Sequence, residues 1–149
     1  MITKEKTLFY LASQSPRRFD LLRQVGIEPV VVITEVQEKK EGQPSFLVAE
    51  NAYLKAQAAA QKIAGRQGIV IAADTVVSLD EHILGKPRDE KEAFFMLQSL
   101  SGRKHAVYSG LALWNLANGE MQKEWLKTEV TFRNFSDEEI KKYMESGEP

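Results

Sequence analysis

The stretch Thr7–Gly26, TLFYLASQSPRRFDLLRQVG, decides how the rest of the chain is read. Its first part, Thr7 to Ala12, is a short apolar run of the kind that forms a buried strand. Phe19, Leu22 and Val25 then recur at helical spacing. A strand therefore runs into a helix. Ser15 is placed to cap that helix, Pro16 suits its first position because the ring presets φ and lacks a donor, and Gly26 can supply a left-handed end. Arg17 and Arg18 fall in the first turn, at the positive end of the macrodipole, where a cation loses a few tenths of a kcal/mol to about 1 kcal/mol. Arg18 occupies the position where an acid would complete a capping box. Two readings fit. An anion docks here, held by backbone donors, serine hydroxyls and guanidinium forks; or this is a solvated helix start with Asp20 as a salt-bridge partner. Spacing alone does not choose between them.

Further along, Pro29 to Thr34 has strand character and opens into a charged run from Glu35 to Glu41. Ser45 is expected to cap a helix reaching about Ala64, with Gly65 after it and an alanine-rich middle. Gly68 to Leu79 is apolar and β-branched, and Asp80-Glu81 turns it into a short strand over His82 to Leu84. Asp89 with Glu92 three positions later forms a capping-box pattern for a helix over Glu90 to Leu100. Strands at His105 to Asn115 and Met121 to Phe135 flank the turn signal Asn118-Gly119. Ser136 and Glu139 form a second capping box, for a last helix with Gly147 past its end. No repeat or linker interrupts this order, so a single α/β domain over residues 1–149 is expected.

Composition narrows the chemistry. With 149 residues, 28% charged and 43% hydrophobic, the chain is an ordinary globular one, and no apolar run approaches a membrane span. The start, Met1 to Lys6, lacks the apolar core of a signal peptide, so the cytoplasm is the expected location. Absence of cysteine excludes disulfides and thiolate metal sites. His82 and His105 are the only histidines, too few for a zinc cluster and a poor supply for a Ser-His-Asp triad, and they are assigned no role. Any metal should be hard and carboxylate-bound. A net charge of -1 offers no general attraction to nucleic acid, so phosphate binding must come from local clusters and points to a small ligand.

Four further side chains carry possible chemistry. Asp74 sits inside the strand-like run Ile69 to Val77, where a buried carboxylate costs several kcal/mol (on the order of a desolvated ion) unless bonds or a cation compensate. It can ligate Mg²⁺, accept a proton from water, or be a strand-end acid bonded to backbone. Lys55 shares the side of its helix that carries Val48, Ala52, Ala56, Ala59 and Ile63, and taken alone reads as a snorkelling lysine. Lys86 follows the expected hairpin in Gly85-Lys86-Pro87, its backbone restricted by the proline. Glu38 belongs to a run that by composition is a solvated loop. Taken together, two arginines and two lysines can neutralise a polyphosphate while carboxylates hold a divalent ion, the minimum equipment for phosphoanhydride cleavage.

The segments Leu11-Ala12-Ser13-Gln14-Ser15-Pro16-Arg17-Arg18, Lys55-Ala56, Ala72-Ala73-Asp74-Thr75, Gly85-Lys86-Pro87, Leu100-Ser101-Gly102 and Ser146-Gly147-Glu148-Pro149 together resemble the Maf family, in its order and over nearly the whole chain. That resemblance implies a mixed twisted sheet flanked by helices, similar to the inosine triphosphate pyrophosphatases. It also implies a homodimer and a nucleoside triphosphate pyrophosphatase assisted by Mg²⁺ or Mn²⁺. By motif, Ser13, Arg17 and Arg18 resemble the phosphate-binding loop, Lys55 and Lys86 the triphosphate-contacting lysines, and Asp74 the proton acceptor. Glu38 resembles a metal-linked glutamate, with Glu35 and Glu41 as alternative registers. Whether Asp74 is base, metal ligand or both stays open. The Pro-Arg-Arg form with Asp-Thr resembles the subgroup acting on dTTP and UTP, which makes Arg17 and Thr75 specificity positions. Family members continue past Gly-Glu-Pro into Asp-Lys-Ala-Gly and Ile-Gln-Gly segments, so a C-terminally shortened chain is expected, with part of the base pocket missing and a sheet edge exposed. The competing expectation is a non-catalytic nucleotide-binding regulator of growth that acts through a partner.

Overall fold

The computed structural model describes residues 7–80, 82–85 and 87–146. Its elements run β1 (Phe9–Leu11), α1 (Pro16–Gln24), β2 (Val30–Val31), α2 (Pro44–Lys62), β3 (Ile69–Leu79), β4 (His82–Leu84), α3 (Glu90–Leu100), β5 (Lys104–Asn115), β6 (Met121–Thr131) and α4 (Asp137–Glu145). The strands form one mixed sheet in the order β2-β1-β3-β5-β6, with β4 paired to β3. β1 lies parallel to both β2 and β3, with Leu11 opposite Val31 and Ile71, whereas β3 and β4 are antiparallel. The expected mixed α/β sheet with flanking helices is the observed one. Contacts group the chain into two compact units: one ends its first segment at Thr75 and adds Ser109–Leu126, and the other comprises Val76–Tyr108 and the chain from Lys127.

The opening stretch folds as its residues dictate. Ser15 is extended at φ -70° and ψ 116°, and its hydroxyl accepts from the Arg18 amide. At the other end Gly26 adopts φ 86°. The Gly26 amide donates to Arg23 O and the Ile27 amide to Leu22 O, the paired bonds of a Schellman ending. The second helix departs from expectation: Gln43 is the cap residue, without a side-chain bond, and Pro44 takes the first position, so Ser45 lies inside the helix. β2 is shorter than the apolar run Pro29 to Thr34, although the Val32 amide still donates to Leu11 O. Asp89 caps α3 as expected, its carboxylate accepting from the Glu92 amide, but the Glu92 carboxylate accepts from Arg88 instead of closing the capping box. At α4 both bonds of the Ser136/Glu139 capping box are present.

The core of the first unit explains where the polar residues go. Along β3, Val70, Ala72 and Asp74 alternate on the buried face, as the two-residue period of a strand requires. α2 covers that face. Ala52, Ala56 and Ala59 pack with Tyr10, Ala12, Val32, Val70, Ala72 and Ala112. Small side chains let the helix come close, and at Gly110 an added Cβ would meet Val48 O at 2.1 Å. The alanines of α2 are thus a packing requirement as well as good helix formers.

Candidate functional site

Past the end of β1 the chain turns through Ser13 and Ser15 into the N-terminus of α1, beside the middle of β3. The Ser15 amide donates to Ser13 Oγ at 3.1 Å, which closes the turn. Arg18 folds its guanidinium back over the loop: Nη1 donates to Ser13 Oγ at 3.3 Å and to Ala73 O at 3.1 Å, and Nη2 to Thr75 Oγ1 at 3.4 Å. The guanidinium is therefore held against β3 by a carbonyl and two hydroxyls, which accounts for a cation in this helical turn. Arg17, one position earlier, is exposed. Ser13, Arg18 and Thr75 thus meet at one place past the carboxyl end of β1, the kind of position at which open α/β sheets bind ligands.

A second group adjoins it through the carbonyl of Ala73. Asp74 is 5% exposed, since the period of β3 carries it one step beyond Ala72 on the face that α2 covers. Lys55 reaches it from α2: Nζ lies 3.3 Å from Asp74 Oδ1 and 2.9 Å from Glu38 Oε1, and also donates to Ala73 O at 3.3 Å. The lysine side chain is only 14% exposed and its amine is paired with two carboxylates, which corrects the snorkelling reading. Tertiary pairing rather than the stripe decides where this amine sits. Glu38 is likewise drawn out of the solvated run. Of the three registers Glu35, Glu38 and Glu41, it is Glu38 whose carboxylate meets Lys55. An open cleft of about 860 Å³ runs along Val36 to Glu41.

Asn51 is the member of this group that the sequence reading missed. It is 2% exposed and lies one helical turn before Lys55 on the same side of α2. Its Nδ2 donates to Lys39 O at 2.9 Å and to Asp74 Oδ2 at 3.3 Å, and its Oδ1 accepts from the Lys39 amide at 2.8 Å. A polar residue on an apolar helix face, stacked with Lys55, was the available signal. Lys86 and the Gly147-Glu148-Pro149 segment fall outside the described residues.

Glu38 and Asp74 suit a hard divalent cation. Their oxygens face a shared cationic position, filled here by Lys55 Nζ, and Mg²⁺ is commonly held by one or two carboxylates completed by substrate phosphates and water. Among the described residues no group of three His, Cys, Asp or Glu is placed to hold a metal, so phosphate and water would have to supply the remaining ligands. His105, assigned no role, is 5% exposed and meets Phe132 edge to face at 4.6 Å between centroids. His82 is exposed.

A loop of serines and arginine past the carboxyl end of β1, beside a lysine held between two acids, marks the candidate site of an α/β protein. Residues 8–149 match the Maf-like protein family, and the chain belongs to it. Its relatives include a protein of Carboxydothermus hydrogenoformans named dTTP/UTP pyrophosphatase, 44% identical over 142 residues that cover 94% of this chain and 75% of the relative. Proteins of the same name from Caldanaerobacter subterraneus subsp. tengcongensis and Dictyoglomus thermophilum are 42% and 41% identical, each over 93% of this chain and over 67% and 72% of the relative. Two solved structures share the fold. A nucleoside-triphosphatase described as a dITP/XTP pyrophosphatase from Mycobacterium abscessus aligns over 84% of this chain and 74% of its own, with TM-score 0.55 and 21% identity. A HAM1 protein from Coxiella burnetii aligns over 85% and 73%, with TM-score 0.58 and 18% identity. Among the described residues no helix is long and apolar enough to cross a membrane.

Proposed function

We propose that this protein is a nucleoside triphosphate pyrophosphatase that hydrolyses dTTP or UTP to the monophosphate and pyrophosphate with the help of a divalent cation. The observation that carries this reading is Lys55 buried between Glu38 and Asp74, adjoining the Ser13–Arg18 loop through Ala73 O. Relatives named for dTTP and UTP support the choice of nucleotide.

The Ser13 hydroxyl and the arginines bind phosphate oxygens. Arg18, already fixed to Ala73 O, offers a preorganised charge that needs little reordering on binding. Lys55 and Lys86 neutralise the triphosphate, and Arg17 and Thr75 serve as the specificity positions. Glu38 and Asp74 would hold the divalent cation, which when bound would withdraw charge from the phosphates and acidify water. Asp74 accepts a proton from the attacking water as oxygen bonds to the α-phosphorus. The bond to the bridging oxygen then breaks, and pyrophosphate leaves with its electron pair. The α-phosphorus receives the hydroxyl, so atoms and charge balance.

The test is pyrophosphate release from a panel of nucleoside triphosphates with Mg²⁺. Release from dTTP and UTP, lowered about 10²-fold to 10⁴-fold in Asp74→Asn while nucleotide still binds, is the expected result. Tight nucleotide binding with no turnover by the unaltered protein would overturn the enzymatic reading in favour of a nucleotide-binding regulator.

A further inference from the structure

Asn51 makes contacts that neither the core nor phosphate binding requires. Asn51 is as buried as Leu47, Val48 and Ala52 of the same helix, and an apolar residue in its place would need no partners. Instead the amide is bonded on both ends. Oδ1 accepts from the Lys39 amide, and the two protons of Nδ2 go to Lys39 O and Asp74 Oδ2. The orientation is determined by chemistry: a flipped amide would set Oδ1 against a carbonyl and a carboxylate, and its NH₂ against an N–H.

The side chain therefore pairs with Lys39 as a neighbouring strand would, and holds the backbone directly after Glu38. The same nitrogen engages the Asp74 oxygen that Lys55 does not touch, since Lys55 faces Oδ1. With Oδ1 and Oδ2 each given a separate donor, the carboxylate plane cannot rotate without breaking a bond. Glu38 comes from a loop with no regular structure between Val31 and Pro44, and the Asn51–Lys39 pairing anchors that loop next to the point where Glu38 meets Lys55.

We infer that Asn51 is a positioning residue: it fixes the Glu38 loop and the Asp74 carboxylate in one arrangement, and so sets turnover rather than nucleotide affinity. The inference rests on the pyrophosphatase reading for its consequence in catalysis, but the tie itself is measurable without activity. Asn51→Leu, of similar size, and Asn51→Asp, which keeps the acceptor for the Lys39 amide and loses both donors, separate the parts. Hydrogen exchange at the Lys39 amide is expected to accelerate tenfold or more in Asn51→Leu and to change far less in Asn51→Asp. With dTTP and UTP, kcat is expected to fall about tenfold or more in both variants, with KM within about threefold of the parent, the split of a group acting only in the transition state.

Unchanged Lys39 exchange in Asn51→Leu would overturn the tie. Faster exchange with unaltered kcat, or a change confined to KM, would overturn its role in turnover. If Asn51→Leu fails to fold, Asn51→Asp decides by the same kcat criterion. An unaltered protein that turns over no nucleotide would count against the pyrophosphatase reading and with it the catalytic consequence, while the exchange measurement would still decide the tie.

Discussion

Lys55 shows how a single residue changes meaning once its partners are known. Its ammonium sits 2.9 Å from Glu38 and 3.3 Å from Asp74, with the Asp74 side chain 7% exposed. Removing one member of such a group leaves a charge in a poorly hydrated place, at a cost of about 3–5 kcal/mol. Lys55→Met is accordingly expected to lower the urea midpoint markedly and to abolish pyrophosphate release. A variant as stable as the parent would show that Asp74 has another compensating partner. Asp74 was legible because an acid in the run Ile69 to Val77 is out of place on any strand. Lys55 and Glu38 were not legible from their own surroundings, since a helix stripe and a charged loop are what surface residues also occupy. Their assignment at that stage came from resemblance, and Asn51 had no such help.

At the scale of elements, local signals were strong wherever a side chain bonds its own backbone. Ser15, Asp89, Ser136 and Glu139 all cap where their spacing predicts, because a capping bond spans three residues and needs nothing from the rest of the fold. The Ser136 capping box also carries a pH dependence. The Arg133 guanidinium, followed by the Ser136 amide, pulls the Glu139 carboxyl down from 4.5 to about 2. A carboxylate lowered on folding stabilises the folded form above its unfolded value, and that contribution is lost as pH falls toward the folded one. Fraying of α4, read as the loss of protection of the Ile140 amide relative to an unstructured chain at the same pH, is thus expected to grow as pH falls from about 4.5 toward 2, and to grow less in Glu139→Gln. Ser45 misled because Pro44 fits the first helical position better and shifts the start by two residues. Close packing was invisible as well. Nothing in the sequence around Gly110 says that α2 passes there, yet a Cβ would meet Val48 O at 2.1 Å. Gly110→Ala should cost about 1–3 kcal/mol by overpacking and, by displacing α2, lower turnover too. Thermal unfolding and pyrophosphate release, measured together, check this.

For the whole molecule, the acids of the candidate site are already paired within the protein, two carboxylates sharing one ammonium. Glu38 and Asp74 are compensated by Lys55, and no cage of three acids or histidines gathers among the described residues. A divalent cation should therefore matter for turnover and little for folding. Chelation is expected to stop pyrophosphate release while leaving the unfolding temperature within about a degree, by contrast with structural metal sites whose binding energy is folding energy. A fall of many degrees would show a metal holding the fold together. The sequence by itself determined the order of strands and helices, the capped starts of α1, α3 and α4, and the buried carboxylate of Asp74, because periodicity, capping and turn chemistry act over a few residues. Only the tertiary structure decided that α2 lies against Val70 and Ala72, that Glu38 rather than Glu35 or Glu41 meets Lys55, and that Asn51 ties the acidic loop to Asp74. Those relations join residues distant in the chain, and a pairing that depends on how closely a helix approaches a sheet leaves no periodic trace in either partner's sequence.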